Sequence, residues 1–394
     1  MNNIRRLLFF ANANIINYKN EYFTIEALED GLTAKLSTNA CEYRIDNGVW
    51  TTLSANTNTQ SINKGQTLSF RGNLTPTSSS GIGTFTISNT CNIKGNIMSL
   101  LYGNDFVGKI DLIGKNYAFY KLFYNCSKII DASNLILPAT TLASYCYRYM
   151  FYKCTGLTAA PKLPATTLVN ECYEYMFHNC TSLATAPELP ATELASSCYS
   201  SMFQGCTSLT TAPELPATTL ANYCYQSMFS DCTNLATAPE LPATTLADYC
   251  YNNMFSYCSS LTNTPELPAT TLADYCYKNM FYKCTGLTTA PELPATTLAD
   301  GCYSGMFSYW TSLTTAPELP ATTLAEHCYR QMFQSCTSLN NITMLATNIS
   351  ASSCLYNWVS GVSSKGTFIK HPDMNSLPTG TSGIPSGWTV ENNI

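Results

Sequence analysis

Apolar positions in this chain keep a strict schedule. In the stretch around Leu220, the residues Leu220, Cys224, Met228 and Cys232 stand four apart, while Ala221, Tyr225 and Phe229 form the adjacent row. Two neighbouring i, i+4 rows make one broad apolar face, and that pattern predicts a helix. Thr245 with Asp248, and Thr323 with Glu326, have the spacing of a capping box, so the helix should begin near the second threonine of Pro-Ala-Thr-Thr. It should end near the second cysteine. The following Leu235-Ala-Thr-Ala-Pro239 is short, small and extended, with proline as a stop, and reads as a strand.

This strand-plus-helix unit recurs. Cys146, Cys172, Cys198, Cys224, Cys250, Cys276, Cys302, Cys328 and Cys354 follow one another at steps of 26 residues with no insertion. Spacing of that kind implies stacked, near-identical coils, because one unit cannot bury its apolar face alone and each Met-Phe pair needs the next. The strands should align as a parallel sheet at about 4.7–4.9 Å, on the concave side of a stack whose bulkier helices lie outside. The predicted fold class is therefore an α/β solenoid of leucine-rich-repeat type, built from strand-helix coils.

The run Met-Phe-x-x-Cys-Thr-Ser-Leu-Thr-x-Ala-Pro, as in Met202 to Pro213, resembles the BspA-like leucine-rich repeats of surface proteins of gut and oral bacteria and of proteins of their phages. The resemblance covers roughly residues 117–356. It implies a binding or adhesion surface rather than catalysis, and it transfers no functional residue one for one.

The flanks have a different texture. Residues 1–20 read as an N-terminal arm, either a loose tail or a segment that docks onto a larger assembly; two arginines precede an apolar patch there, but Leu7 to Ala11 is too short for a signal-peptide core. Residues 21–97 alternate as a small all-β sandwich should, at Phe23-Ile25-Ala27, Leu32-Ala34-Leu36, Leu68-Ser-Phe70 and Phe85-Thr-Ile87, with Asp46-Asn47-Gly48 as a hairpin turn. Trp50 with Tyr43 could stack on a sugar or pack into the core. Residues 98–135 read as a cap containing a divergent first coil, since Ala118, Leu122, Phe123 and Cys126 mirror Cys146, Met150, Phe151 and Cys154 at a spacing of 28. The solenoid is then assigned to 136–345 and a C-terminal cap to 346–394.

Composition narrows the function. Only 11% of residues are charged, the net charge is -5, and Lys and Arg are scattered, which argues against nucleic acid as a partner. No run of about 18 apolar residues exists, so membrane insertion is not expected. The 19 cysteines invite a disulfide or metal reading. Cys224 and Cys232, about 12 Å apart on a helix, could not bridge, and equivalent cysteines on helices about 8–10 Å apart could not either. With no Cys-x-x-Cys and three histidines, zinc has no ligand cluster. Buried free thiols are expected, with no metal and no cofactor. No phosphate loop or nucleophile elbow appears, so no enzyme is expected.

Stacking turns repeated polar residues into ladders, and these are the candidate binding residues. Thr185, Thr211, Thr237, Asn263, Thr289, Thr315 and Asn341 share one strand position; Glu188, Glu214, Glu240, Glu266, Glu292 and Glu318 share another, which begins with Lys162. The glutamates read as a solubilising border or as a cation site. Two variable helix slots, Tyr145 to His327 and Tyr152 to Gln334, should face outward on the convex side. The expected partners are a host-surface glycan or protein, with other virion proteins held through the arm, and a homo-oligomer stays open. The expected location is a phage virion, with the bacterial cell surface as the alternative and a ligand-free structural spacer as a third reading.

Overall fold

The computed structural model describes residues 18–374 and 377–393. Most of the expected N-terminal arm, residues 1–17, lies outside the described residues. Seven short strands come first: β1 Phe23–Ala27, β2 Ala34–Leu36, β3 Cys41–Ile45, β4 Thr51–Leu53, β5 Thr67–Arg71, β6 Phe85–Ile87 and β7 Cys91–Asn96. β1 lies antiparallel between β5 and β7, and the sheet extends through β3 to β4 on one side. β2 and β6 form a separate antiparallel pair. On its other side β7 pairs in parallel with β8, Ile129–Ile136, which belongs to the first coil. The N-terminal sheet and the solenoid thus share backbone hydrogen bonds.

The predicted helices are absent. Among the described residues the one α-helix is α1, Ser99–Tyr102, which lies outside the repeats. Each stretch expected to be helical is a run of four-residue turns. In one coil, Cys146, Arg148, Met150, Tyr152 and Cys154 donate their backbone N–H to the carbonyl three residues back, at 3.0–3.3 Å. The alternate residues Tyr147, Tyr149, Phe151 and Lys153 donate instead to Cys172, Glu174, Met176 and His178 of the next coil, at 2.8–3.1 Å. Half of the donors that an α-helix would use internally hold the stack together.

Dihedral angles make this possible. Tyr145, Tyr149 and Lys153 have φ of 63°, 57° and 56°, and the same slots are left-handed in coil after coil, through Tyr223, Ser227 and Asp231 to His327, Gln331 and Ser335. No β-branched residue occupies these slots, which instead hold Asn, Asp, Ser, Tyr, Lys, Gln, His, Glu or Gly. Apolar rows spaced at four rather than 3.6 suit this turn stack; on an α-helix each step of four would rotate the row by about 40°. Asp248, predicted for a capping box, serves a different purpose. The Asn222, Asp248 and Asp274 side chains each accept the backbone N–H of the equivalent residue in the next coil, at 3.1–3.2 Å.

The predicted strands shrink to single parallel bridges, such as Thr185 to Thr211 to Thr237. Proline explains the loss: Pro213 and Pro216, or Pro239 and Pro242, remove ladder donors from each segment. Where proline is missing from the corresponding segment, real strands form. β8 is one; β9 Asn341–Met344, β10 Thr367–Lys370 and β11 Thr389–Asn392 make a parallel three-stranded sheet at the far end. The architecture is a repeat solenoid without the α component expected of it.

Two aromatic columns run through the core. Tyr147, Tyr173, Tyr199 and Tyr225 continue through Tyr329 with ring centroids 5.6–6.2 Å apart. Phe123 to Phe333 form the second column, at 5.3–6.2 Å, joined to Phe23 of β1 at one end and to Trp358 at the other. Coils in this contact are far closer than packed helices, so helix spacing does not govern the cysteines as expected. All are free and buried. In the second series, Cys154, Cys180, Cys206 and Cys232 donate their thiols to the carbonyls of Phe123, Phe151, Phe177 and Phe203, at 3.0–3.1 Å. Trp310 occupies one such position and its indole N–H donates to Leu287 O instead.

Candidate functional site

After their turns, most coils carry the segment Ala-Pro-Glu-Leu-Pro-Ala-Thr-Thr or a one-residue variant of it. In the stretch Pro213 to Thr219, Leu215 and Ala217 are buried while Glu214, Pro216, Thr218 and Thr219 are exposed. Alternation therefore survives without a sheet, and it fixes which side chains reach solvent.

Thr185, Thr211, Thr237, Asn263, Thr289 and Thr315 are all exposed, as are Glu188, Glu214, Glu240, Glu266, Glu292 and Glu318. The bridges Thr185 to Thr211 to Thr237 and Thr315 to Asn341 keep parts of the threonine row in register, whereas no such bridge involves Asn263. Each glutamate lies three residues beyond its threonine, so the two rows run side by side along the stack. Furrows run between neighbouring coils. One of about 410 Å³ is lined by Pro187, Glu188, Pro190, Pro213, Glu214 and Pro216, and one of about 440 Å³ is lined by the equivalent Glu240 and Glu266 with their prolines.

A further row went unread in the sequence. The Thr-Thr pairs assigned to helix starts, as Thr218-Thr219, Thr244-Thr245 and Thr270-Thr271, are exposed, and their second threonines are bridged from coil to coil. A signal was present, since Pro-Ala-Thr-Thr returns almost unchanged from coil to coil yet has two hydroxyls and no large apolar residue. The exposed face thus presents threonine, glutamate and paired threonine rows in parallel.

The variable slots are less free than their variation implies. Tyr145, Glu171 and their equivalents are held left-handed, and many of their rings stack: Tyr117 on Tyr145 at 4.5 Å, Tyr223 on Tyr249 and Tyr249 on Tyr275 at 4.9 Å. In the second slot Tyr152 stacks on His178 at 4.8 Å. Burial, with Lys153 close by, pushes the His178 imidazole down to about 4. In the neighbouring column Arg148 reaches Glu171 at 2.9 Å and Glu174 at 2.6 Å; burial of Glu174, with Glu171 beside it, raises its carboxyl to about 8 against the pull of Arg148.

The proposed sugar platform does not form. Tyr43 is buried and its hydroxyl accepts the Gln60 N–H at 3.1 Å. Trp50 is clasped by the guanidinium groups of Arg71, at 4.2 Å, and Arg44, at 4.9 Å, with Tyr22 against its edge. The surfaces that a sugar ring would need are taken up within the protein.

A family model described as BspA type leucine-rich repeat region matches in six copies, over residues 115–262, 195–308 and 250–360. The chain belongs to this family. Its BspA-type repeats indicate a role in protein interaction or adhesion. No curated protein and no solved structure is found to match the chain.

Proposed function

We propose that this BspA-type protein is a non-enzymatic adhesion module whose exposed threonine and glutamate rows bind an extended partner, a glycan or protein on a host-cell surface. One observation carries the reading: from Thr185 to Glu318 the same kinds of exposed polar residue return in successive coils, alongside a backbone register held by inter-coil hydrogen bonds. Repetition of weak, equivalent contacts suits a repetitive or elongated ligand, because each added contact raises avidity. A unique reaction centre is a poor use of residues placed in identical surroundings.

The protein acts in this reading as a phage virion component, a fibre or capsid decoration. The carrier of host contact is the solenoid face. Purified virions and washed bacterial envelopes, compared by proteomics, test the location: presence only in envelopes contradicts it and selects a bacterial adhesin. For the face itself, the triple substitution Thr211→Lys, Thr237→Lys and Thr289→Lys should lower binding to host-envelope fractions at least about tenfold. These side chains are exposed, so unfolding should be unchanged. Unaltered binding by the folded variant would move the contact elsewhere.

A further inference from the structure

A cavity of about 680 Å³ lies where the first coil meets the N-terminal sheet, away from the furrows just described. Its wall combines the stretch from Ser133 to Thr140 with three further segments. The turn Tyr18–Asn20 is tied down because the side-chain amide of Asn96, a buried residue, donates to Lys19 O at 2.9 Å. The segment around Lys109 turns at Gly108, φ 79°, and Ile110 O accepts the Thr140 N–H at 2.9 Å. The third segment carries Lys162 and Pro164 from the next coil.

Two properties of this lining stand out. Lys19, Lys109 and Lys162 all contribute, and no aspartate or glutamate does, in a chain whose net charge is -5. None of the three lysines makes an ion pair among the described residues. The rest is largely aliphatic: Leu135 and Leu137 line the cavity as buried residues, while Val107 and Ile110 are each 54% exposed. No aromatic ring lines it, so the stacking that favours sugars is missing.

We propose that this cavity binds an amphipathic anion, a carboxylate or sulfate ester with an aliphatic body. Three cationic side chains around one cavity repel one another, and an anion relieves that repulsion while the aliphatic walls take its chain out of water. The repeat itself marks Lys162 as a departure, because the equivalent slot holds Glu188, Glu214, Glu240, Glu266, Glu292 and Glu318 in the following coils. The lone cation of that row is the one that lines the cavity. This proposal does not rest on the adhesion reading.

Calorimetric titration of the full chain with octanoate, octanol and octylammonium tests it. Octanoate should bind saturably and at least about tenfold more tightly than octanol, a difference worth about 1.4 kcal/mol, and octylammonium should not bind. Lys162→Glu installs the residue that the other coils already tolerate, so it should leave the unfolding midpoint in place and weaken octanoate at least about tenfold. Ile110→Ser should weaken octanoate and octanol alike. Lys365→Glu, the same charge change at an exposed site outside the cavity lining, should leave octanoate binding intact. Absence of saturable octanoate binding, equal affinity for the alcohol, or equal loss in the Lys162 and Lys365 variants would overturn the proposal.

Discussion

At the scale of single residues, the repeat is governed by which side chains tolerate a left-handed backbone and which tolerate burial. Asn253, Asn279 and Gly305 share one left-handed slot, and a residue there is chosen for its φ before its chemistry. His178 shows the other constraint. Its imidazole, stacked on Tyr152 and facing Lys153, takes a proton only near pH 4, against 6.5 for a free ring; the carboxylate of Asp231 pulls weakly the other way. The unfolded chain therefore binds this proton over a range where the folded chain does not, and the stability contributed above pH 6.5 is lost as pH falls towards 4. His178→Gln places the residue that Gln204 provides in the next coil. Urea unfolding between those pH values should show the variant losing less stability than the parent, by an amount of the order of 1 kcal/mol once the ring's partial exposure is allowed for. Parallel curves would show that His178 does not titrate in this way.

At the scale of elements, the sequence made the coil and its period plain but not the backbone inside it. The rows Leu220-Cys224-Met228-Cys232 and Ala221-Tyr225-Phe229 were rightly read as buried, give or take the partly buried Ala221, yet their four-residue step was read as a helix. Helix and four-residue turn place the same residues on one face over a single step; they differ in whether N–H groups bond within the coil or between coils, which pattern alone does not encode. The exposed Thr and Glu rows were legible because alternation survives without a sheet. The lysine cavity was not, since Lys19, Lys109 and Lys162 meet only through the pairing of β7 with β8 and the turn at Gly108. The cysteine columns yield a prediction at this scale. Burial raises their thiols, to about 12 for Cys146, Cys206 and Cys284, so both access and thiolate are scarce. Native labelling by a thiol reagent should be slower than labelling in urea by at least about a hundredfold, because it requires local opening. Rapid labelling of most thiols in the native protein would contradict the packed columns.

At the scale of the molecule, continuity replaces a separate core for each part. The phenylalanine column passes from Phe23 of β1 and Phe85 of β6 into Phe123 and the coils, then ends on Trp358 and on Phe368 of the C-terminal sheet. Both ends of the solenoid are closed by strands lacking proline, which leaves the proline-rich Thr and Glu face as the surface that repeats. That face is held in register by the turn stack, and the turn stack is the claim on which adhesion by many equivalent contacts depends. Its most direct test is the unfolding midpoint of a variant with glycine at three stacked left-handed positions: Ser201→Gly, Ser227→Gly and Asn253→Gly, where φ is 53°, 51° and 55°. Glycine suits that backbone, so the variant should be as stable as the parent or more so. In helical coils the same three changes would cost about 1 kcal/mol in total, relative to serine and asparagine, and a loss of that size would contradict the turn stack.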